Sequence, residues 1–446
     1  MLSFWDSEAI GTTTSEINDV VYENFKKEIQ FNEHSKRYEV SLPFKINHDL
    51  ISDNYTYCIK RLAPVLKKLS KDNKLLMSYN SIIKEQLCQG VIEEVNNHKI
   101  KFGNVHYLPH RPVVRDDKST TKVRMVFDAS ASIDGPSLND CLNAGPSLTT
   151  SLFGVLLRFR CYKYAFISDI EKAFLQISLK DADRDFVQFL WVKNVDTVNS
   201  ENILSSQIAT YCLCRVLFGV TSSPFLLSAT LATHLQKHVK ADPDFVKKMM
   251  LALHVDDLNS GSNDLNQCIN FFTKARDCLH EANFNLRKFE SNSMKLEQKI
   301  QPLNYKRMTE TKVLGQSWDK DSDEFTYSFN GITSHYKHIC SKRNVMKFIA
   351  SLFDPMGLIN PVIVRCKCLF QKLCIAKYSW DDLMSGDILE EWHDIIFDFC
   401  SLNKELYLVG FCRILTYPIL MLNLNFMPLL MQALKPLVLV YILDVL

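Results

Sequence analysis

Several features that would assign this chain to a familiar class of protein are missing from its sequence. No uninterrupted apolar run of about 18 residues, the minimum for a membrane-spanning helix, occurs, so no membrane partner is expected. Cys-x-x-Cys pairs, internal repeats and low-complexity tracts are also absent, and with them the usual signs of a zinc module or a repeat protein. Because no secretory signal precedes the 14 cysteines, we expect reduced thiols and an intracellular, cytoplasmic location.

An excess of either charge is missing too, since 52 Lys and Arg against 50 Asp and Glu leave a net charge of +2. Composition therefore gives no argument for a nucleic-acid partner, and any basic channel must be local. Two close cysteine pairs, Cys212 with Cys214 and Cys366 with Cys368, could ligate a metal, but each lies in an apolar run. We interpret them as buried thiols.

The 446 residues are 47% hydrophobic and 23% charged, which is ordinary for a globular protein with a substantial core. The first 95 residues have a mostly helical pattern. Leu76, Tyr79, Ile83 and Leu87 recur at three- and four-residue spacing, and Gly90 follows as a stop. Short β-type runs then begin at His106, Lys122, Tyr164 and Asp185. These patterns predict an amphipathic helix followed by a mixed sheet.

The middle of the chain predicts helices around a hairpin. One helix should begin at residues 222–224, where two serines precede a proline, and another near residue 262. The apolar run Met249–Val255 predicts a strand buried on both faces, with Asp256 and Asp257 in a turn and a return strand directly after them. The predicted fold class is α+β, with helices packed on one face of a mainly antiparallel sheet.

Three aspartates lie where apolar strands are predicted to end. Asp169 belongs to the run YAFISD, and Asp256 and Asp257 follow LALHV. If these strands are neighbours, three carboxylates converge where like charges cannot all ionise without cations. Mg²⁺ prefers carboxylate, water and phosphate oxygens, and two such ions about 4 Å apart stabilise the attacking and leaving oxygens of phosphoryl transfer. One aspartate alone would indicate only a turn; the joint pattern, with Phe174 five residues after Asp169, predicts a metal site.

The chain also contains the runs YLPHRPVVRDDKSTTKVRMVFDAS, SLNDCLNAGPSL, ISDIEKAFLQI, DRDFVQFLW, LFGVTSSPFLLSATLATHL, HVDDLNSG, LRKFESNS, VLGQSWD and FDPMGLINPV. Together these runs resemble the reverse transcriptase region of BEL/Pao-type LTR retrotransposon polyproteins, over roughly Phe4 to Cys412. The resemblance implies the right-hand polymerase palm and fingers of the reverse transcriptase fold. An N-terminal helical segment and a C-terminal connecting region would flank them.

The resemblance also implies an order of domains. Residues 1–95 would link protease to polymerase, 96–330 would form the fingers and palm with the primer-grip hairpin, and 331–412 the connecting region. Residues 413–446 would be an aberrant apolar tail in place of ribonuclease H. Because Asp444 is the only acidic residue of that tail, we expect no ribonuclease H site. The protease triplets Asp-Ser-Gly and Asp-Thr-Gly do not occur, so we expect a piece of a polyprotein.

Transferred residue by residue, the resemblance implies that Asp169, Asp256 and Asp257 are the catalytic residues and hold two Mg²⁺ ions, with Mn²⁺ as an alternative ion. Phe174 would lie under the sugar of the incoming nucleotide and crowd a 2′-hydroxyl. A phenylalanine packed in the core behind the strand is the open alternative.

Further residues would bind the nucleotide. Arg124 would grip the triphosphate, assisted by Lys118, and Phe218 with Gly219 would contact the templating base pair, where glycine permits close approach. Lys288 would protonate the departing pyrophosphate. A solvated charge or an ordinary turn glycine is the alternative at these positions.

Leu314, Gly315 and Trp318 resemble the primer-grip hairpin, although packing alone could explain all three. One position departs from the family, since His254 stands where most relatives have tyrosine. The histidine ring is smaller and can titrate near neutral pH, which puts the efficiency of polymerisation in doubt. His234 and His238 have the spacing of a helical metal pair, but no third ligand is evident and we expect them to face solvent.

These features together predict RNA-directed DNA polymerisation by two-metal nucleotidyl transfer. The partners would be an RNA or DNA template with its primer and deoxynucleoside triphosphates, and backbone contacts should make binding salt-dependent. The alternative is a catalytically silent, truncated retrotransposon remnant that binds nucleic acid without polymerising.

Overall fold

A computed structural model describes residues 15–45, 51–95, 105–114, 123–133, 135–197, 207–301, 307–327, 340–357, 359–402 and 407–409. The chain divides into two compact units, each made of several segments. Unit 1 comprises residues 1–149, 170–256 and 273–287, and unit 2 comprises residues 150–169, 257–272 and 288–446. The predicted tail at 413–446 lies outside the described residues.

The helices of the described residues are α1 (Ser15–Glu28), α2 (Tyr55–Leu69), α3 (Asn73–Cys88), α4 (Leu138–Cys141), α5 (Leu152–Arg160), α6 (Ser223–Gln236), α7 (Pro243–Ala252), α8 (Leu265–His280), α9 (Met294–Ile300), α10 (Lys342–Ser351), α11 (Asn360–Ile375) and α12 (Asp387–Leu402). Short 3₁₀ turns occur at Ala173–Gln176, Asp181–Val187 and Val195–Thr197. No helix in these ranges is long and apolar enough to cross a membrane.

The strands are β1 (Gln30–Asn32), β2 (Arg37–Val40), β3 (Ile92–Glu94), β4 (His110–Val114), β5 (Val123–Phe127), β6 (Tyr164–Ile170), β7 (Ser178–Leu179), β8 (Gln188–Val192), β9 (Ile208–Leu213), β10 (Leu253–His254), β11 (Asp257–Ser262), β12 (Leu286–Ser291), β13 (Glu310–Val313), β14 (Gln316–Asp319), β15 (Glu324–Thr326) and β16 (Tyr407–Val409). Most strand pairs are antiparallel, and β2 with β7 is parallel. Helices with mainly antiparallel sheets are what the predicted α+β class requires.

Unit 1 contains the sheets β3-β9-β8 and β1-β2-β7 and the hairpin of β4 with β5. Helix α3 forms where the apolar spacing predicted it, because Asp72 accepts a hydrogen bond from the Leu75 backbone N–H at 3.0 Å and so caps its first turn. Its buried face includes Tyr79, which packs edge-on against Trp191 of β8 at 5.2 Å between ring centroids. The described part of the first 95 residues is mostly helical, with α1, α2 and α3, and it also forms the short strands β1, β2 and β3.

The predicted strand Met249–Val255 was wrong. Met249–Ala252 is the last turn of α7, and only Leu253 and His254 are in strand conformation before the hairpin. Asp242 accepts a hydrogen bond from the Phe245 N–H at 2.9 Å and thereby caps this helix. A short apolar run is compatible with a buried helix as well as with a buried strand. Here the N-terminal cap at Asp242 favours the helix.

Unit 2 contains most of the sheet whose strand order is β10-β11-β6-β12, together with the four-stranded sheet β13-β14-β15-β16. One core cluster packs α5 on the second sheet through Phe159, Trp318 and Phe325. A second cluster joins α10, α11 and α12 around Phe348 and Trp392. Unit 2 therefore joins two antiparallel sheets to a helical C-terminal part.

Candidate functional site

Two of the predicted catalytic aspartates face each other across neighbouring strands. Strands β11 and β6 pair antiparallel from Ser262 opposite Tyr164 to Asp257 opposite Asp169. One residue further, the Ile170 N–H donates to the backbone oxygen of Asp256 at 2.7 Å. The predicted neighbour of β6 was the LALHV segment, whereas the structure pairs β6 with the return strand β11 and places β10 beyond it. All three aspartates nevertheless lie at the same end of the strand pair, because Asp257 is the first residue of β11 and Asp256 directly precedes it.

Left-handed backbone conformations flank the aspartates along the chain. Val255, directly before Asp256, has φ of 56°, and Lys172, three residues after Asp169, has φ of 46°. Lys288 in β12 has φ of 49°. Such conformations cost about 1–3 kcal/mol each in residues other than glycine and are concentrated at functional sites, and a β-branched valine is a particularly rare occupant.

The carboxylate of Asp169 is only half satisfied. Its Oδ2 accepts a charge-assisted hydrogen bond from Lys288 Nζ at 2.7 Å. Its Oδ1 is buried and has no hydrogen-bond partner among the described residues. A buried carboxylate oxygen without a partner is costly, and a bound cation would remove that cost. The three carboxylates also supply the hard oxygen donors that Mg²⁺ prefers, so the residues present fit the predicted ion.

The carboxylates are not drawn tightly together. Over the described part of the chain, three donor atoms within 4.8 Å of one another occur at two other places and not at Asp169, Asp256 and Asp257. The side chains of Asp256 and Asp257 are half-buried. Any ion would therefore have to draw the three groups inward.

The first of the two closer clusters is His234, His238 and Cys278. His234 is buried, with Nδ1 3.1 Å from the Tyr38 hydroxyl and Nε2 2.7 Å from the Cys278 backbone oxygen. The expectation that it faces solvent was wrong, because α6 is covered on both sides there. Since both ring nitrogens contact protein groups, His234 has no lone pair left for a metal.

The second cluster is Glu93, Cys212 and Cys214. Both cysteines are buried, as predicted. Cys212 Sγ donates to Glu93 Oε1 at 3.3 Å, and Arg184 Nη1 lies 3.6 Å from the same oxygen. Because a guanidinium already neutralises this carboxylate, the cluster is a poor cation site. In the other cysteine pair, Cys366 is buried, as predicted, whereas Cys368 is exposed. The prediction of a buried thiol was therefore wrong for Cys368.

The predicted nucleotide-binding residues of unit 1 take different environments. Phe174 is buried and packs edge-on against Phe218 at 4.4 Å between centroids, with Phe218 itself 57% exposed. Gly219 has φ of 95°, and a Cβ there would lie 3.1 Å from the Phe127 carbonyl oxygen, so this turn requires glycine. Arg124 is exposed on β5, opposite Val113. Lys118 lies outside the described residues.

The predicted primer-grip residues form a tight hairpin in unit 2. Leu314 and Gly315 are the two turn residues between β13 and β14, with φ of 49° and 90°, the positive values that two-residue hairpins require. Trp318 is buried; it packs edge-on against Phe159 at 4.9 Å, and its Nε1 donates to Asp323 Oδ1 at 3.0 Å. Trp318 therefore anchors the base of the hairpin, while the turn is the part that could contact a ligand.

Sequence reasoning missed the basic side chains that gather in unit 1. Arg37 Nη1 donates to the backbone oxygen of Gln176, a residue 139 positions away, and Arg215 forms a backbone bridge with Ser178. No local pattern links residues so distant in the chain. Only the parallel pairing of β2 with β7 brings them together.

Comparison with known proteins adds a family match in the C-terminal part. Residues 341–408 match the family model described as Pao retrotransposon-like RNaseH-like domain. A search of curated proteins found no significant match.

Two solved structures are similar over most of this chain. A foamy viral protease-reverse transcriptase in complex with an RNA/DNA hybrid is 15% identical with a TM-score of 0.49, covering 75% of this chain and 37% of that one. A foamy viral protease-reverse transcriptase dRH in complex with double-stranded DNA is 16% identical with a TM-score of 0.46, covering 73% and 48%. The chain thus spans less than half the length of either.

The matched family segment overlaps the predicted connecting region at 331–412. Its described residues form α10, α11 and α12 and the strand β16. Within them, no three metal-ligating side chains lie within 4.8 Å of one another. The family match at residues 341–408 supports a Pao-type retrotransposon polyprotein, the family that the sequence motifs resemble.

Proposed function

We propose that this chain is the RNA-directed DNA polymerase part of a retrotransposon polyprotein. The observation that carries the proposal is the register of β6 and β11, which places Asp169 opposite Asp257 and binds the Asp256 backbone to the next residue of β6. Carboxylates gathered at one end of a strand pair, beside strained turns, are suited to phosphoryl transfer. Right-hand palm and fingers are part of this proposal.

In the proposed reaction the primer 3′-hydroxyl attacks the α-phosphate of a deoxynucleoside triphosphate, the P–O bond to the β-phosphate breaks, and pyrophosphate leaves. Asp169, Asp256 and Asp257 would hold two Mg²⁺ ions, or Mn²⁺ in their place. When bound, such ions neutralise the charge that develops on the attacking and leaving oxygens. The buried, unpartnered Oδ1 of Asp169 supports this assignment.

Lys288 contributes a cation beside the same carboxylate. Its left-handed backbone at φ 49° turns the side chain out of the strand pattern, and its Nζ reaches Asp169 Oδ2 at 2.7 Å. An ammonium in that position can donate a proton to a departing phosphate oxygen. This geometry favours the role of Lys288 that the resemblance implies over that of a freely solvated lysine.

The other predicted ligand-binding residues belong to the same proposal. The exposed ring of Phe218, resting on buried Phe174, offers an apolar face for a base or sugar. Arg124 would bind the triphosphate as an exposed guanidinium, and the Leu314–Gly315 turn would contact the primer. The template and primer would be RNA or DNA.

Primer extension on an RNA template tests the proposal. The native chain should incorporate deoxynucleotides in the presence of Mg²⁺, and the double variant Asp256→Asn with Asp257→Asn should lose this activity by a factor of at least about 10², the effect of removing charge stabilisation at a reacting centre. Asp244→Asn with Asp277→Asn is the matched control, because it removes the same charge from two exposed aspartates of unit 1. Equal incorporation by native chain and active-site variant would refute the mechanism.

A second candidate function is nucleic-acid binding without polymerisation. Two observations favour it: the three carboxylates are not within 4.8 Å of one another, and Lys288 already neutralises Asp169. In that case the native chain would bind a primer–template with strong salt dependence and extend it no better than the double asparagine variant.

A further inference from the structure

Unit 1 contains a cavity that belongs to none of the sites above. Its volume is about 250 Å³, and its lining includes Arg37, Lys172 and Arg215, the side chains of Gln89 and Gln176, and two aliphatic residues. The space can hold several water molecules or a small polar ligand. Three lining residues are cationic and none is acidic, so the cavity is suited to an anion.

The two arginines are held in place by neutral groups. Arg37 Nη1 donates to the Gln176 backbone oxygen at 3.0 Å and to its side-chain Oε1 at 2.6 Å. Arg215 Nη1 donates to the Ser178 hydroxyl. Within the described ranges neither guanidinium forms an ion pair. Hydrogen bonds to neutral acceptors fix the positions of the two groups without cancelling their charge.

The third cation is only loosely neutralised. Lys172 Nζ lies 3.4 Å from Glu85 Oε1, and both side chains are at least half exposed. Exposed pairs of this kind contribute little and exchange readily. Lys172 also has the left-handed backbone at φ 46°, which strand and turn contacts on both sides must enforce. This lysine can therefore turn its charge towards a ligand in the cavity.

Burial and mutual repulsion destabilise the charged forms of the two arginines. Burial, and then repulsion from Arg37 and Arg184, lower the pKa of Arg215 to about 10, and burial lowers the pKa of Arg37. The nearby carboxylate of Glu39 attracts Arg215 and partly offsets this lowering, but its hydrogen bond comes from Asn32 Nδ2 at 2.9 Å. Partly desolvated guanidiniums that repel each other are destabilising unless an anion joins them.

The backbone makes the arrangement rigid. Parallel pairing of β2 with β7 places Glu39 opposite Ser178, and Ser178 forms a further bridge with Arg215. Arg37 begins β2, and Arg215 lies two residues after the end of β9, where its backbone bridge with Ser178 holds it. A preorganised fork of donors binds an anion without first losing side-chain entropy.

We propose that this cavity is a binding site for a phosphate group, contacted by Arg37, Arg215 and Lys172. The negative charge of a phosphate group complements the positive charge of two guanidiniums and an ammonium. Its several acceptor oxygens can accept hydrogen bonds from all three groups. The phosphate can come from a free polyphosphate such as pyrophosphate or from a nucleic-acid backbone. None of the three aspartates takes part, so the site is independent of the proposed polymerase function.

Isothermal titration calorimetry with inorganic pyrophosphate tests the site. EDTA in the buffer removes divalent metal ions, so that no metal–pyrophosphate complex can form. The native chain and the variant Asp256→Asn with Asp257→Asn should bind equally well. Lys172→Gln and Arg37→Gln should weaken binding roughly tenfold or more, the effect of losing one charge-assisted hydrogen bond. Lys84→Gln is the matched control, because Lys84 is exposed on α3, four residues before its end, and should change nothing.

Arg215→Lys separates loss of the site from loss of the fold. It keeps the charge and removes the planar fork, so binding should weaken while the circular dichroism spectrum and the melting temperature stay close to those of the native chain. Competition by a short oligothymidylate distinguishes the sources of phosphate: displacement of pyrophosphate assigns the site to a nucleic-acid backbone, and its absence assigns the site to free phosphates. The proposal is overturned if neither anion binds the native chain, or if Lys172→Gln and Lys84→Gln bind equally well.

Discussion

Replacing Lys320 with methionine should destabilise unit 2 more than any exposed charge replacement. Lys320 is fully buried, with Nζ 2.9 Å from Glu290 Oε2 and 3.2 Å from Glu297 Oε1. Removal of one partner of a buried ion pair costs about 3–5 kcal/mol, because the other charge is left uncompensated. Glu297 keeps its second partner, Arg307 Nε, at 2.7 Å, so the expected loss is about 3 kcal/mol, at the lower end of that range.

The urea midpoint of unfolding, followed by tryptophan fluorescence, measures this loss. Arg343→Met is the control in the same unit, because the pair of Arg343 with Asp381 is exposed and its removal should leave the midpoint nearly unchanged. Adding Glu290→Gln to Lys320→Met should restore part of the stability, since the uncompensated charge is then gone. A single variant that loses less than about 1 kcal/mol, the level of an exposed pair, would refute the reasoning.

Three further predictions concern other positions. Lys288→Met should tighten Mn²⁺ binding up to about fivefold in calorimetry, because the lysine competes for Asp169 and a pair whose lysine is exposed contributes at most about 1 kcal/mol; weaker binding than in the native chain would contradict this competition. Gly219→Ala should lower the free energy of unfolding by about 1–3 kcal/mol, since φ of 95° excludes a side chain, and an unchanged urea midpoint would show that the turn can relax. His110 should make stability depend on pH: burial lowers its pKa from 6.5 to about 4, so the neutral ring, placed between the Tyr79 hydroxyl and the Leu190 carbonyl oxygen, stabilises the fold above pH 6.5, and this contribution is lost as the pH falls towards 4. Melting temperatures between pH 7 and pH 4 should fall less in His110→Gln than in the native chain, and parallel curves would contradict the assignment.

The sequence predicted well those elements whose signals are local. Helix α3 and strand β6 lie where apolar spacing placed them. The meeting of the aspartates was predicted from charge, because like carboxylates come together only where cations can bind between them. The strand pairing itself differs from the prediction, since β6 pairs with the return strand β11 and not with the LALHV segment. Local signals failed at Met249–Ala252, where the same apolar residues fit a helix and a strand and the Asp242 cap selected the helix.

Other features were inaccessible to sequence reasoning because they depend on distant partners. His234 has the spacing of an exposed metal ligand, yet Tyr38, some 196 positions away, covers it. The left-handed backbone of Val255 and Lys288 has no signal in residue type, since neither is glycine or asparagine. The cationic cavity of Arg37 and Arg215 likewise appears only once the parallel strands are paired.

The contact between Lys288 and Asp169 has a consequence for how the protein is handled. A counter-charge that is covalently part of the chain cannot be stripped by a chelator, so purification in EDTA should leave the strand pair intact. Reloading with divalent ions then needs only the displacement of one flexible lysine and no refolding of the sheet.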